Sequence, residues 1–266
     1  MTTRSCYTSS EAPAPRRGCR SDCQRGESPV YTADSLNLSI EALRLRIAQI
    51  GAPDEERVYA YVVRSVRPRE GQYLQTGSAP NFDGGLITLC TCKHSMRASL
   101  TPEQWMKGIW VAGLTSWDKA FSKQQSLVYL MRVGEAYASQ AELVYALRRS
   151  GRSAVVDAKD STKNCLGDLM MPATASLPAA ESFTPSAYLK PMLGHAHRQT
   201  ETDDGWQYDI NYPSRSGSQP AMLVGDEQLS FAWTRPTVQR RRPGPTRPYR
   251  EWTLTALLDD LEAVTE

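Results

Sequence analysis

The segment GGLITLCTCKHSMR, Gly84–Arg97, decides how the chain is read. It places Cys90, Cys92 and His94 at every second position of a run, Leu86–Lys93, that reads as a strand. Side chains at i, i+2 and i+4 of an extended chain share one face, so three chemically active groups would line one side of a sheet. Alternate strand positions lie roughly 7 Å apart at Cα, which is stretched for a tetrahedral metal pair unless His94 turns off the strand end. Cys165, or His195 with His197, would have to complete such a site. Cysteine more often serves as a small buried hydrophobe, so the expectation is no metal and no cofactor. The alternative is a nucleophilic Cys92, its thiol pKa lowered by the neighbouring Lys93 and His94.

Upstream, Leu36, Ile40, Leu43, Ile47 and Ile50 recur at three-and-four spacing before Gly51, which predicts a helix. RVYAYVVRSV, 57–66, is aromatic and β-branched and predicts a buried strand. EGQYLQTGSAPNFDGG, 70–85, predicts a loop whose backbone can approach something closely. Downstream, SLTPEQW, 99–105, carries the cap and proline of a short helix start. KGIWVAGLTS, 107–116, and QSLVYLMRVGEAYAS, 125–139, predict strands, and 139–151 predicts a capped helix with Arg148 and Arg149 at its basic end. Residues 157–172 read as a polar loop. GWQYDINYPS, 205–214, and QPAMLVGDEQLSFAW, 219–233, read as two further strands, and Trp252–Val264 as an amphipathic helix. Five or six short strands with a few helices, and no strict βα alternation, predict α+β: a small curled β-sheet or β-barrel with flanking short helices. No glycine fingerprint or phosphate loop for nucleotides is present.

The ends differ in composition from the middle. Residues 1–33 are rich in Ser, Pro, Arg and Gly and predict a disordered basic tail, followed by a domain over 34–236 and a basic linker with a helix over 237–266. Five arginines face three acids in residues 1–30, and six lie between Arg235 and Arg250, against a formal net charge of +2 for the whole chain. Such arms suit either solubility or sequence-blind attraction to phosphates. Three of the six cysteines fall in the predicted tail, and the thiols are expected to be reduced. With neither a long apolar run nor a secretory leader, the expectation is a soluble cytoplasmic protein with no membrane partner.

Seven strings, YAYVVRS (59–65), APNFDGGLITLCTCKHSMR (79–97), GIWVAGLTS (108–116), LVYLMRVGEAYAS (127–139), KDSTKNCLGD (159–168), GWQYD (205–209) and AMLVGDEQLSFAW (221–233), follow one another in an order that resembles the nucleotide modification associated domain family, over about residues 57–236. The resemblance implies an outline similar to the PUA, ASCH, EVE and YTH group of small β-barrels and a link to modified bases in DNA or RNA. Where the family pattern has a Gly/Pro loop, a strand ending in Cys-Lys and then an Arg, this chain offers Asn81, Cys92, Lys93 and Arg97. Where it has a polar Lys-Asp…Asn segment, the chain offers Lys159, Asp160 and Asn164. Departures occur at Phe231, Ala232 and Trp233 and in the Ala/Pro-rich stretch 173–200.

The leading functional expectation is a nucleic-acid-associated domain that takes a modified or flipped base. Such a base needs an aromatic surface, polar groups for its edge and cations for the flanking phosphates. Trp105 and Trp206, with Trp110 and Trp117 behind them, are candidates for stacking; Asn81, Ser116, Asp160 and Asn164 for the edge; Lys93 and Arg97 for phosphate. A second expectation is an enzyme acting on nucleotides through Asp160 and Asp168 with His94 or Cys92. A third is an interaction module that docks a protein partner through Leu254, Leu257, Leu258 and Leu261, although that spacing equally suits the domain's own core.

Overall fold

The computed structural model describes residues 34–53, 55–117, 119–192, 195, 205–212, 217–242 and 249–265. The predicted tail, His197 and the middle of the 235–250 basic segment lie outside them. Helix α1 (Ile40–Ile50) forms where its periodicity predicts, except that Leu36 lies before it, in a bridge to Ala232. Ser39 Oγ accepts from Ala42 N at 3.2 Å, and Gly51 ends the helix at φ 76°, a conformation that costs glycine nothing. Strand β1 (Arg57–Val62) follows, then a hairpin of β2 (Val66–Arg69) and β3 (Gln72–Gln75) inside what the sequence presents as a loop. Its two-residue turn, Glu70-Gly71, has φ of 51° and 77°, the positive pair that a tight twisted hairpin requires.

Strand β4 (Thr88–Leu89) is only two residues long, which corrects the strand expected over Leu86–Lys93. Helices α2 (His94–Arg97) and α3 (Pro102–Trp105) come next, the latter with the full capping box of Thr101 and Gln104. Strands β5 (Trp110–Leu114) and β6 (Leu127–Tyr137) form an antiparallel pair, and helices α4 (Gln140–Arg149) and α5 (Ser153–Lys159) follow. Strand β7 (Met222–Ala232) matches expectation; GWQYD does not, because Gly205–Asp209 forms a 3-10 turn. The chain closes with β8 (Val238–Arg240), β9 (Arg250–Thr253), α6 (Leu254–Asp259) and β10 (Leu261–Ala263).

The architecture is α+β around a six-stranded sheet of order β4-β7-β6-β5-β1-β9, with two-stranded sheets β10-β8 and β2-β3 beside it. β1 and β5 run parallel and the other neighbours antiparallel. β4 and β9 are the sheet's two edges, and no closed barrel is formed among the described residues. Both faces are covered, which explains why β1 reads as an unbroken apolar run. Its odd residues, Tyr59 and Tyr61, pack with Val111, Tyr129 and Met131 under α2 and α3. Val58 and Ala60 pack on the other face with Ile40, Leu43 and Ile47 of α1 and with Leu254, Leu257 and Leu258 of α6.

The last expected helix is thus only six residues long, flanked by two strands. β9 pairs with β1 in the register Arg57↔Thr253, and β10 pairs with β8. Leu254, Leu257, Leu258 and Leu261 are all buried within the domain, so the apolar face invoked for docking a partner is already used. No helix among the described residues is long and apolar enough to cross a membrane.

Candidate functional site

The opening cysteines do not share a face. Cys90 packs beneath α4 with Leu143 and Leu147, whereas Cys92 packs against the core on the Tyr61 side. The cause lies at Arg97, whose guanidinium is wholly buried and donates to the carbonyls of Cys90 (2.8 Å), Cys92 (2.7 Å) and Ala221 (2.6 Å). Carbonyls that a neighbouring strand would take are captured by one planar side chain, and the strand stops. Lys93 then turns the chain at φ 56°, and α2 begins. No group of three His, Cys, Asp or Glu side chains among the described residues is placed to hold a metal. Cys90 and Cys92 are free thiols.

Burial also corrects the nucleophile. It pushes the Cys92 thiol up to about 12, with the Asp209 charge adding to the rise, and outweighs the lowering by Arg97 and Lys93. A thiol held there is not a thiolate near neutral pH.

Most of the expected base-binding residues prove to be scaffold. Arg97 cannot meet phosphate, because its donors end on main-chain carbonyls. Trp105 has no exposed surface, and its indole donates to the Arg97 carbonyl at 3.0 Å. Trp206 is 6% exposed and packs with Ala141, Met170, Tyr188 and Ile210, so neither ring offers a face to a base. Trp110 is likewise fully buried. Asn81 is buried, and its Oδ1 and carbonyl accept from Lys159 Nζ at 2.8 and 3.0 Å; Leu86 O takes the third proton at 2.7 Å. Asn164 donates to Asp83 at 3.3 Å and accepts from Leu166 N. Asp160 accepts from the Thr162 amide and hydroxyl at 2.8 and 2.6 Å. These three polar residues are brought together, but as the fastening of the 159–168 segment against Asn81–Leu86. Ser116 is half-buried just past β5 and apart from them.

Asp168 belongs to the same fastening. It is fully buried, accepts from Thr88 Oγ1 at 2.9 and 3.0 Å, and is raised to about 6 by burial, against the attraction of Lys159. Asp209, behind the cysteine turn, is raised well above the carboxylate range by burial. His94 Nε2 meets its Oδ1 at 2.9 Å and stacks on Tyr212, with ring centroids 4.6 Å apart. On the far side, His195 Nε2 lies 4.0 Å from Asp209 Oδ2, and His195 Nδ1 is 3.2 Å from both Ser78 Oγ and the Cys165 carbonyl. Ser78, His195 and Asp209 have the residue types of a nucleophilic triad but not its proton placement. A ring nitrogen that faces a carbonyl must carry the hydrogen, so Nδ1 has no lone pair to accept the Ser78 proton.

What remains open is a cavity of about 470 Å³ between the last residues of β1 and the turn after it (Tyr61–Ser65), residues Thr76–Ala79, the turn Cys92–Lys93 and Cys165–Leu166. Two loops cross at its wall: a methyl group at Gly77 would lie 2.6 Å from Ser65 Cβ, so only glycine fits. Lys93 is the one expected base-binding residue that lines it, beside Cys92 and Cys165, and its Nζ is 4.7 Å from the centre of the Tyr61 ring. Burial, with the repulsion of Arg64, lowers the Lys93 amine from its ordinary value. Among the described residues the thirteen that line it include these two cations and no carboxylate. Tyr61, Arg64, Ser65, Thr76 and Ser78 were not singled out from the sequence as ligand-binding, although Thr76 and Ser78 fall in the Gly/Pro stretch 70–85 and Tyr61, Arg64 and Ser65 in the string YAYVVRS.

Comparison with protein-family models, with curated proteins and with solved structures finds no match to this chain.

Proposed function

We propose that this chain is a nucleic-acid-associated binding domain whose 470 Å³ cavity receives a nucleotide, with a modified base as its occupant. The observation that carries the reading is a cavity whose lining among the described residues holds two mutually repelling cations, Lys93 and Arg64, and no carboxylate. Holding two like charges together without a counter-ion is unfavourable in the empty protein and becomes favourable when an anion arrives. The volume lies within the range of small-ligand sites, about 300–1,000 Å³, and suits one nucleotide. Tyr61 and Val63 supply apolar wall, and Ser65, Thr76 and Ser78 supply hydroxyls for a base edge.

The test is fluorescence anisotropy with single- and double-stranded DNA and RNA, unmodified or carrying methylated or hydroxymethylated bases, at two salt concentrations. Lys93→Asn is the matched variant, because asparagine tolerates the left-handed backbone at φ 56° while removing the charge. The proposal expects a base preference that survives high salt, and a salt slope lower by about 1 in the variant. Base-indifferent binding that Lys93→Asn leaves unchanged would refute it.

A further inference from the structure

The β2–β3 hairpin leaves the cavity wall and carries arginines along its outer side. Arg64 lines the cavity; Arg67 and Arg69 follow on β2 at alternate positions. Alternation puts Arg67 and Arg69 on one face of the ribbon, opposite Val66, which is buried. The two positions are spaced about 7 Å along the strand, close to the step between phosphates of an extended nucleic-acid strand.

Two further features separate this row from ordinary surface charge. Arg67 Nη1 donates to the carbonyls of Arg64 and Val66 at 2.6 and 2.9 Å, which fixes its guanidinium over the turn that leads from the cavity, and it has no carboxylate partner among the described residues. A positioned guanidinium loses less entropy on meeting phosphate than a free one. At its far end the hairpin forms a second, smaller cavity of about 260 Å³, lined by Arg69, Glu70, Gln72, Tyr73 and Leu74. The single acid on the row, Glu70, stands 3.6 Å from Arg69 in a largely exposed pair. Three arginines therefore link one concavity to another.

We infer that the β2–β3 hairpin is a phosphodiester track: Arg64, Arg67 and Arg69 hold successive backbone phosphates of a strand whose nucleotide enters the cavity. The ligand is then a polymer rather than a free nucleotide. The inference rests on the proposed function of the cavity and extends it.

The experiment compares wild type, Arg67→Gln/Arg69→Gln and Arg67→Lys/Arg69→Lys against a nucleoside monophosphate and against oligo(dT) and oligo(U) of about fifteen nucleotides, over a salt series. The track requires the Gln pair to lose at least about tenfold in oligonucleotide affinity at low salt and about 1.4 in salt slope, with monophosphate affinity unchanged and the slope restored in the Lys pair. DNA and RNA share the phosphodiester, so both oligomers must respond alike; a loss on one alone overturns the assignment. A lowered melting temperature with an unchanged slope would show that Arg67 only braces its turn, and would overturn it too. An intact Lys93→Asn effect beside an inert hairpin removes the track and leaves the cavity reading standing. Failure of wild type to bind either ligand removes both.

Discussion

Two pairs of cations are used in opposite ways. Lys159 and Arg97 are fully buried, and carbonyls and an amide oxygen take their protons at 2.6–3.0 Å. Lys93 and Arg64 stand at a cavity with an aromatic face and with each other's charge for company. In a sequence the four are alike. Their difference teaches that a cation's role is set by the acceptors the fold places around it: where protein oxygens use every donor, nothing is left for a ligand.

The sharpest way to break that contrast is Lys159→Met. It strands the oxygens of Asn81 and Leu86 and leaves Asp168 without its attracting charge. The expected loss is about 3–5 kcal/mol by urea titration, with nucleic-acid affinity of the folded protein unchanged. Lys93→Asn should do the reverse, costing under about 1 kcal/mol and weakening binding. If both variants unfold, or both bind normally, the division of labour is wrong.

Trp206→Ala sharpens the correction of the stacking role. As a core residue it should cost about 3 kcal/mol or more, read as a large fall in melting temperature. A stable variant with weakened binding would restore the ring to the site.

The pH dependence of stability probes the buried acids. Asp168 is raised from 3.8 to about 6, so the folded state holds more protons than the unfolded state across that window. Its contribution is full below about 3.8 and is lost as pH rises through 6. His195 is lowered from 6.5 to about 4 by burial; its contribution is full above 6.5 and is lost as pH falls. The two slopes oppose each other in wild type. Asp209, also raised by burial, adds a slope of the same sign as Asp168. Relative to wild type, Asp168→Asn should therefore make stability fall less with pH between about 4 and 6.5, and His195→Gln should make it fall more, each by roughly 1–3 kcal/mol in chemical denaturation.

The smallest effect is expected at the hairpin tip. Glu70 occupies a left-handed turn position that asparagine prefers. Glu70→Asn should raise stability by a few tenths of a kcal/mol and also strengthen polyanion binding, because a like charge leaves the arginine row. Weaker binding in a salt series would argue against the track.

The parts of the fold governed by local rules were legible. Gly51 stops α1, Ser139 caps α4, and the apolar runs of β5, β6 and β7 appear where expected. What was hidden depends on distant partners. Nothing in LITLCTCK announces that Arg97 will take the carbonyls of Cys90 and Cys92 and end the strand. The 3-10 turn at 205–209 puts Trp206 and Asp209, three apart, both inward, a placement that polar sequence context disguises. The hairpin had a local signal, Glu70-Gly71 between RPR and QYLQ, but it was submerged in a stretch rich in loop residues. Of the expected site, Lys93 lines the cavity, because picking residue types by chemistry does not reveal which acceptors surround them.

The central claim, that Lys93 is available to an anion whereas Lys159 is not, is most directly tested by amine acylation followed by mass spectrometry, with and without a saturating oligonucleotide. The account predicts that Lys93 labels in the free protein and is protected in the complex, that exposed Lys163 labels equally in both, and that Lys159 labels in neither. Equal labelling of Lys93 in the free and bound protein would contradict it.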